Sequence, residues 1–337
     1  MKVGIIGCGL IGKKRAAALA KHDRLVAVAD SVPERATALA AEFGAVARDA
    51  RVVLGDAEIE AVVIATTHDH LAGLALQAIE SGKHVLLEKP GARRPAELTP
   101  LVAAAASRGV SVHVGFNHRF HPALQKAKQL ISAGELGELF FIRGRYGHGG
   151  RLGYDREWRA QPEISGGGEL LDQGAHLIDL AGWFFDEPFE KVHGAIATYY
   201  WQMVVEDNAF LTLQTPRGRT AQLHVTWTEW KNMFSLEVTG RNAKLHIEGL
   251  GGSYGTERLA FYQMRPELGP PDTTIWEYPG ADRSWHAEWA HFQAQIAAKQ
   301  VSGAPGLEST QAVLSVVERV YEQNDVSWYA SRQGTQS

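Results

Sequence analysis

From residue 1 to about 117, short β-branched runs alternate with alanine-rich stretches of helical period. KVGIIG, RLVAVAD, AVVIAT, HVLLEK and VSVHVGF are separated by segments such as ERATALAAEF and LAGLALQAIESGK. Few folds accept that alternation. Strands that are nearly continuously apolar are buried on both faces, and a helix between successive strands is the crossover that a parallel pair requires. The N-terminal part is therefore expected to form a doubly wound α/β sheet, covered by helices on both sides.

The period changes further on. Beyond about 185 come long strand-like runs, VHGAIATYYWQM, NAFLTLQT, RTAQLHVTWTEW, FSLEVTG and AKLHIEG, several alternating with period two. TPRGRT and TGRNAK between them read as hairpin turns, so the second region predicts a large, mostly antiparallel open sheet in an α+β domain. Helices near 284–300 and 308–324 follow, the second opening at Glu308 and Ser309. Trp285, Trp289 and Phe292 of the first read as core residues, with His286 a candidate to face a pocket. The boundaries expected are 1–118 for the α/β domain, 119–330 for the α+β domain, and 331–337 for a polar tail. At 337 residues the chain exceeds what one core generally sustains, which agrees with two domains.

Composition removes several classes of partner. With 34 Lys and Arg against 38 Asp and Glu, a net charge of −4 and no basic cluster, nucleic acid is not an expected ligand. No apolar run approaches a membrane span, and MKVGIIGCGLIG lacks the regions of a signal peptide, so a soluble, cytoplasmic protein is expected. The single cysteine, Cys8, fits a reducing compartment and reads as a small packed residue.

The first loop indicates the ligand class. Gly7-Cys8-Gly9-Leu10-Ile11-Gly12 follows a strand and opens a helix. In that context the first glycine permits a tight turn, the second lets a pyrophosphate approach the backbone, and the third lets helix and strand pack closely. The helix start at Leu10 and Ile11 then offers amides and a partial positive charge to the phosphates. Asp30 ends the second strand 18 residues after Gly12, where a carboxylate binds the ribose hydroxyls and repels a 2′-phosphate. NAD is expected over NADP. Arg35 qualifies that expectation, since it is placed to lie over the adenine or reach a phosphate.

In an open α/β sheet, ligands sit beyond the carboxyl ends of the strands. The later strands end in ATTHDH, EKP and GFNHRF, which makes Thr66, Thr67, His70, Glu88, Lys89, Pro90, Asn117 and Arg119 candidate lining residues. Lys89 follows the apolar run HVLL and precedes a proline that biases it to an extended backbone. An amine there can donate to a substrate hydroxyl and stabilise developing negative charge; by position alone, a solvated strand-end lysine is the better explanation. GGGELLDQGAHLIDL, residues 166–180, puts Asp172 and His176 one helical turn apart among leucines. A partly buried acid with a satisfied histidine is the plain alternative. His68, Asp69 and His70 add metal-capable side chains, yet no HExxH or Cys–His spacing occurs, and no metal is expected. Arg151 and Arg156, in YGHGGRLGYDREW, suit either a phosphate-binding loop or a plain surface loop.

Taken together, these residues resemble the Gfo/Idh/MocA oxidoreductases. The likeness runs over nearly the whole chain: the glycine loop, Asp30, HVLLEKP, GFNHRFHPAL, EWRAQPEISGGGELLDQGAHLIDLAGWF and the antiparallel sheet. The combination of Glu88-Lys89-Pro90 with Asp172 and His176 is more specific than either part. The resemblance implies hydride transfer between a nicotinamide and a secondary alcohol of a sugar, cyclitol or nucleotide-sugar. It also implies Lys89, Asp172 and His176 as catalytic residues, a cis Lys89–Pro90 bond, and a homodimer or homotetramer built through the C-terminal sheet. It places the helix of Asp172 and His176 over the nicotinamide, with the glycines allowing the approach. Trp158 and Arg159 stand at a spacing the family shares, suited to a pyranose face and its hydroxyls; a packed Trp with a surface Arg is the alternative. A neutral imidazole, with pKa near ~6.5, suits a base for the alcohol proton. His176 is read as that base and Lys89 as the orienter, roles the two can exchange. Two other classes remain open on this scaffold: a hydrolase or lyase that retains NAD for transient oxidation, and a non-catalytic sugar sensor.

Overall fold

A computed structural model describes residues 1–267 and 269–330. The polar tail expected at 331–337 lies outside the described residues. The chain divides into two compact units, Met1–Asn117 with Trp285–Leu314, and His118–Ser284 with the chain from Ser315 on.

In the first unit six strands form one parallel sheet: β1 (Lys2–Ile6), β2 (Arg24–Ala29), β3 (Val46–Ala47), β4 (Ala61–Ile64), β5 (His84–Glu88) and β6 (Val112–Gly115). Their order is β3-β2-β1-β4-β5-β6, so the winding reverses between β1 and β4. Val3, Ile5, Val28, Val62, Val63 and Leu86 are fully buried, as strands covered on both faces must be. The helices Pro33–Phe43 and Thr99–Arg108 stop where Gly44 and Gly109 take up left-handed backbone, the conformation glycine adopts without a side-chain clash. One segment belongs here against expectation. Trp289 and Phe292 of the helix Ser284–Ala297 join the cluster of Val3, Ile5, Val28 and Leu86. Their rings supply apolar bulk that local strand and helix patterns do not reveal, so the sequence groups 285–314 with its neighbours along the chain instead.

The second unit carries eight strands: β7 (Leu139–Gly147), β8 (Lys191–Ala197), β9 (Asn208–Gln214), β10 (Thr220–Thr226), β11 (Met233–Gly240), β12 (Ala243–Glu248), β13 (Glu257–Gln263) and β14 (Asp272–Tyr278). The order is β14-β13-β12-β11-β7-β10-β9-β8, antiparallel except where β7 meets β10. Both hairpins read from TPRGRT and TGRNAK are present. The central strand β7, LFFIRGRYG, has charged and glycine positions that hide it from a pattern search. Two expected strands, β8 and β10, are shorter than their runs. β8 stops at Ala197 because the Asp207 carboxylate draws the amides of Tyr199, Tyr200 and Trp201 into a loop. Along β11, Phe234, Leu236 and Val238 are buried while Ser235, Glu237 and Thr239 point to the other face. The helices Pro122–Ser132 and Ala175–Phe185 pack against this sheet.

Candidate functional site

In the first unit the glycine loop has the shape of a phosphate cradle. A Cβ on Gly7 would come within 2.2 Å of the Ala65 carbonyl oxygen, and one on Gly12 within 1.8 Å of the Gly7 carbonyl oxygen. A Cβ on Gly9 would meet no atom within 4 Å beyond its chain neighbours among the described residues. Two glycines thus close the turn against protein, and the middle one leaves room above the backbone. The helix Leu10–Ala18 begins there with no side chain capping its amides, which leaves them for an anion. Asp30 is fixed beside the loop: its Oδ2 accepts from the Cys8 amide at 2.6 Å and its Oδ1 from the Val32 amide at 2.8 Å. Burial, with Asp30 adding to it, pushes the Cys8 thiol up to about 12, so Cys8 is a packing residue. These features fit the pyrophosphate and adenosine ribose of a dinucleotide.

Glu88 ends β5 and Lys89 comes just after it, in different surroundings. Glu88 is buried and accepts from Arg15 Nε at 2.6 Å; a second Arg15 nitrogen reaches Glu288 at 2.5 Å. His113 bonds Glu288 and Gln295 on its two ring nitrogens. Burial outweighs Arg15 at Glu88 and raises its carboxyl, whereas Arg15 and His113 overcome burial at Glu288 and hold it low. Glu88 therefore ties the glycine-loop helix to the end of β5. Lys89 follows, half-buried, across a cis bond to Pro90.

In the second unit Asp172 and His176 lie on one buried helical stretch. Leu170–Gly174 is a π-helical turn, and Ala175–Phe185 continues as α-helix. Wide turns of this kind occur as single bulges, often at functional sites. Asp172 Oδ2 accepts from Arg159 Nε at 3.1 Å, and the Arg159 guanidinium stacks over Trp158 at 4.5 Å. Burial works against the charge of Arg159, but Asp172 prevails and holds its pKa up. The His176 ring stacks on His118 with centroids 3.7 Å apart and planes 23° from parallel. Tyr146 of β7 meets His118 and His176 edge-on, and Phe234 of β11 meets His118 and Tyr146. An acid with a bound guanidinium and an imidazole held by ring contacts are thus presented from one helix.

The glycines ahead of this helix serve protein contacts. A Cβ on Gly167 would lie 2.2 Å from the Tyr321 hydroxyl, and one on Gly168 would lie 2.1 Å from the Glu206 carbonyl oxygen. Within this unit, the close passage of Glu206 and Tyr321 accounts for Gly167 and Gly168, while Gly166 takes up left-handed backbone at the end of the preceding short helix.

The predicted residues separate by unit. Gly7, Gly9, Leu10, Ile11, Gly12 and Asp30 form the loop just described, with Leu10 largely exposed and Arg35 exposed on the following helix. Thr66 and Thr67 lie between β4 and the helix His68–Glu80, where Thr67 donates to Asp69 at 2.6 Å and His70 is exposed. Asn117 is buried at the end of the unit. Arg119, expected at the substrate, instead donates from Nε and one terminal nitrogen to both oxygens of Asp179 at 2.7 and 2.6 Å, a buried fork that orients the 175–185 helix. Arg151 pairs with Glu157, and His286 is exposed. His118 and Glu206 were not singled out from sequence. A charged pair inside the apolar run VVEDNAFL was the available signal for Glu206; His118 had none, since ring stacking is a tertiary contact. Among the described residues no group of three His, Cys, Asp or Glu is arranged to hold a metal ion, and no helix is long and apolar enough to cross a membrane.

Comparison with known proteins fits this geometry. Residues 1–116 match the model of the oxidoreductase family with an NAD-binding Rossmann fold, and residues 124–246 match the GFO/IDH/MocA C-terminal domain. The chain belongs to the GFO/IDH/MocA oxidoreductase family. It is 31% identical to levoglucosan dehydrogenase of Pseudarthrobacter phenanthrenivorans over 65% of this chain and 59% of that protein. It is 29% identical to inositol 2-dehydrogenase 2 of Saccharopolyspora erythraea over 65% of this chain and 64% of that one. The matched region thus spans about three fifths of each of these relatives. A solved levoglucosan dehydrogenase in complex with NADH and levoglucosan superposes with a TM-score of 0.84 at 25% identity, covering 97% of this chain and 98% of that one.

Proposed function

We propose that this protein is an NAD-dependent dehydrogenase that oxidises a secondary alcohol of a small sugar or cyclitol. The observation that carries the reading is the buried helix presenting Asp172, bound by Arg159, one turn from His176, in a chain whose first unit has the open glycine loop and the fixed Asp30. Levoglucosan and inositol, named for the relatives, are the first substrates to try. A nucleotide-sugar is the wider alternative within the same chemistry.

Bound NAD supplies the hydride acceptor. The loop amides after Gly9 hold its phosphates, and Asp30 accepts from the ribose hydroxyls and disfavours the extra phosphate of NADP. Thr66, Thr67, Glu88 and Asn117 border the rest of that site in the reading. Lys89 donates to the reacting hydroxyl and stabilises the alkoxide as it forms. His176 takes the hydroxyl proton, its ring plane held by His118. Asp172 accepts from a neighbouring hydroxyl, and Trp158 and Arg159 face the ring and its substituents. Retained-NAD hydrolysis, elimination and sugar sensing have no observation of their own here.

The open face of the eight-stranded sheet, with Phe141, Arg143, Thr220, Gln222 and Phe210, is read as the surface through which the chain forms a homodimer or homotetramer. Light scattering that returns about twice or four times the chain mass supports this; the mass of a single chain rejects it.

The direct test incubates the protein with NAD and either levoglucosan or myo-inositol and follows NADH absorbance. Stoichiometric NADH supports the dehydrogenase. Altered sugar without NADH would replace it with transient oxidation, and binding without either product would point to a sensor.

A further inference from the structure

We propose that Glu206 is a positioning residue for the proposed active site, setting the start of the helix from which Asp172 and His176 project. The inference rests on the dehydrogenase reading of that helix. A helix start leaves its first amides without partners inside the helix. Here three consecutive amides go to one residue 36 or more positions away. Gly168 N donates to Glu206 Oε1 at 3.1 Å, Glu169 N to the Glu206 carbonyl oxygen at 3.0 Å, and Leu170 N to Glu206 Oε1 at 3.0 Å. The Tyr321 hydroxyl is a fourth donor to Glu206 and the third to Oε1, at 2.8 Å.

The contact has little slack. A Cβ at Gly168 would lie 2.8 Å from the Glu206 carboxyl carbon and one at Gly167 2.2 Å from the Tyr321 hydroxyl, so the backbone and the two side chains meet at glycine distance. Leu170, whose amide is held, begins the π-helical turn, and Asp172 sits within it with its own amide bonded to the Gly168 carbonyl. A shift at Glu206 is thus transmitted to Asp172 through a single turn of backbone. The next residue, Asp207, anchors the loop amides of Tyr199, Tyr200 and Trp201, so the polar pair is fixed from both sides. Glu206 is 3% exposed, and among the described residues its other oxygen, Oε2, has no hydrogen-bond partner. It does not touch the reacting groups within this unit; it acts through the helix.

The chemistry asks for an acceptor at one place, not for a charge. Glu206→Gln keeps a carbonyl oxygen at the same reach. Glu206→Asp keeps the charge and withdraws the oxygen by a methylene. Glu206→Ala removes both. With whichever of levoglucosan or myo-inositol the native protein oxidises, Glu206→Asp is expected to lower kcat by ~10-fold to ~100-fold, the scale for an ångström of misplacement. Glu206→Gln should retain most of kcat, and NAD affinity, read by fluorescence titration, should match the native value in both. Hydrogen exchange of the 166–176 peptide should quicken in Glu206→Asp and stay native in Glu206→Gln. Should Glu206→Ala fail to fold, the Asp and Gln pair carries the comparison alone.

Native kcat and native exchange in Glu206→Asp would overturn the proposal. So would a Glu206→Gln protein as impaired as Glu206→Asp, since that would mean the charge matters instead. Full turnover in His176→Ala would fault the catalytic reading of the helix while the exchange result still decides the role of Glu206. If neither sugar is oxidised, exchange in the Asp and Gln pair decides it by itself.

Discussion

Two glycine clusters, Gly7–Gly12 and Gly166–Gly168, look alike in sequence and have opposite surroundings. In the first, the middle glycine faces open space that suits a pyrophosphate. In the second, Gly167 and Gly168 are filled to contact by Tyr321 and Glu206. One cluster makes room for a ligand, and the other for the protein itself. Absence of a side chain is the shared cause, and only what comes within reach tells the two apart.

The largest expected effect tests what the second cluster supports. His176→Ala should lower kcat by ~10²–10⁴ with NAD affinity nearly unchanged, the scale of losing a general base. Lys89→Ala should also impair kcat. Steady-state kinetics on folded, NAD-binding protein check both, and unimpaired turnover in His176→Ala would leave Lys89 as the base.

Next in size is the contrast between filled and open glycines. Gly168→Ala forces a methyl against the Glu206 backbone and should destabilise by about 3 kcal/mol, at the upper end of overpacking. Gly9→Ala meets no protein atom, so its thermal midpoint should stay near native while NAD affinity falls. Paired thermal melts and NAD titrations separate the two. Equal destabilisation would erase the distinction.

Cofactor choice should move less. Asp30→Ala removes the carboxylate that the Cys8 amide holds in place, and the ratio of kcat/KM for NAD over NADP should fall by roughly ten-fold, about 1.4 kcal/mol. A native enzyme that prefers NADP would reject the role given to Asp30.

A further expected effect is a pH dependence of stability in the second unit. Burial raises the Glu206 carboxyl from 4.5 to about 7. The folded chain then holds that proton where the unfolded chain has lost it, so this group's contribution is full below pH 4.5 and declines as pH rises to about 7. Glu206→Gln should remove that decline. Thermal midpoints across that window measure it, and an unchanged slope in the variant would show that Glu206 is ionised throughout.

Local pattern was enough for the parallel sheet, the hairpins of the second sheet, the glycine loop and Asp30, and the pairing of Asp172 with His176 on one helix. Each depends on period or on spacing within a few residues, and such spacing fixes which side chains share a face before any packing occurs. Tertiary contacts decided the rest. Trp289 and Phe292 joined the first core from the far end of the chain, and Arg119 went to Asp179 in preference to solvent or ligand. β7 entered the centre of the sheet between two strands that come later in sequence. Glu206 and Tyr321 occupied the space above Gly167 and Gly168, and His118 stacked on His176. These contacts join residues tens to hundreds of positions apart. Burial rewards any chain segment of suitable shape and charge, and a linear pattern carries no record of which distant segment arrives.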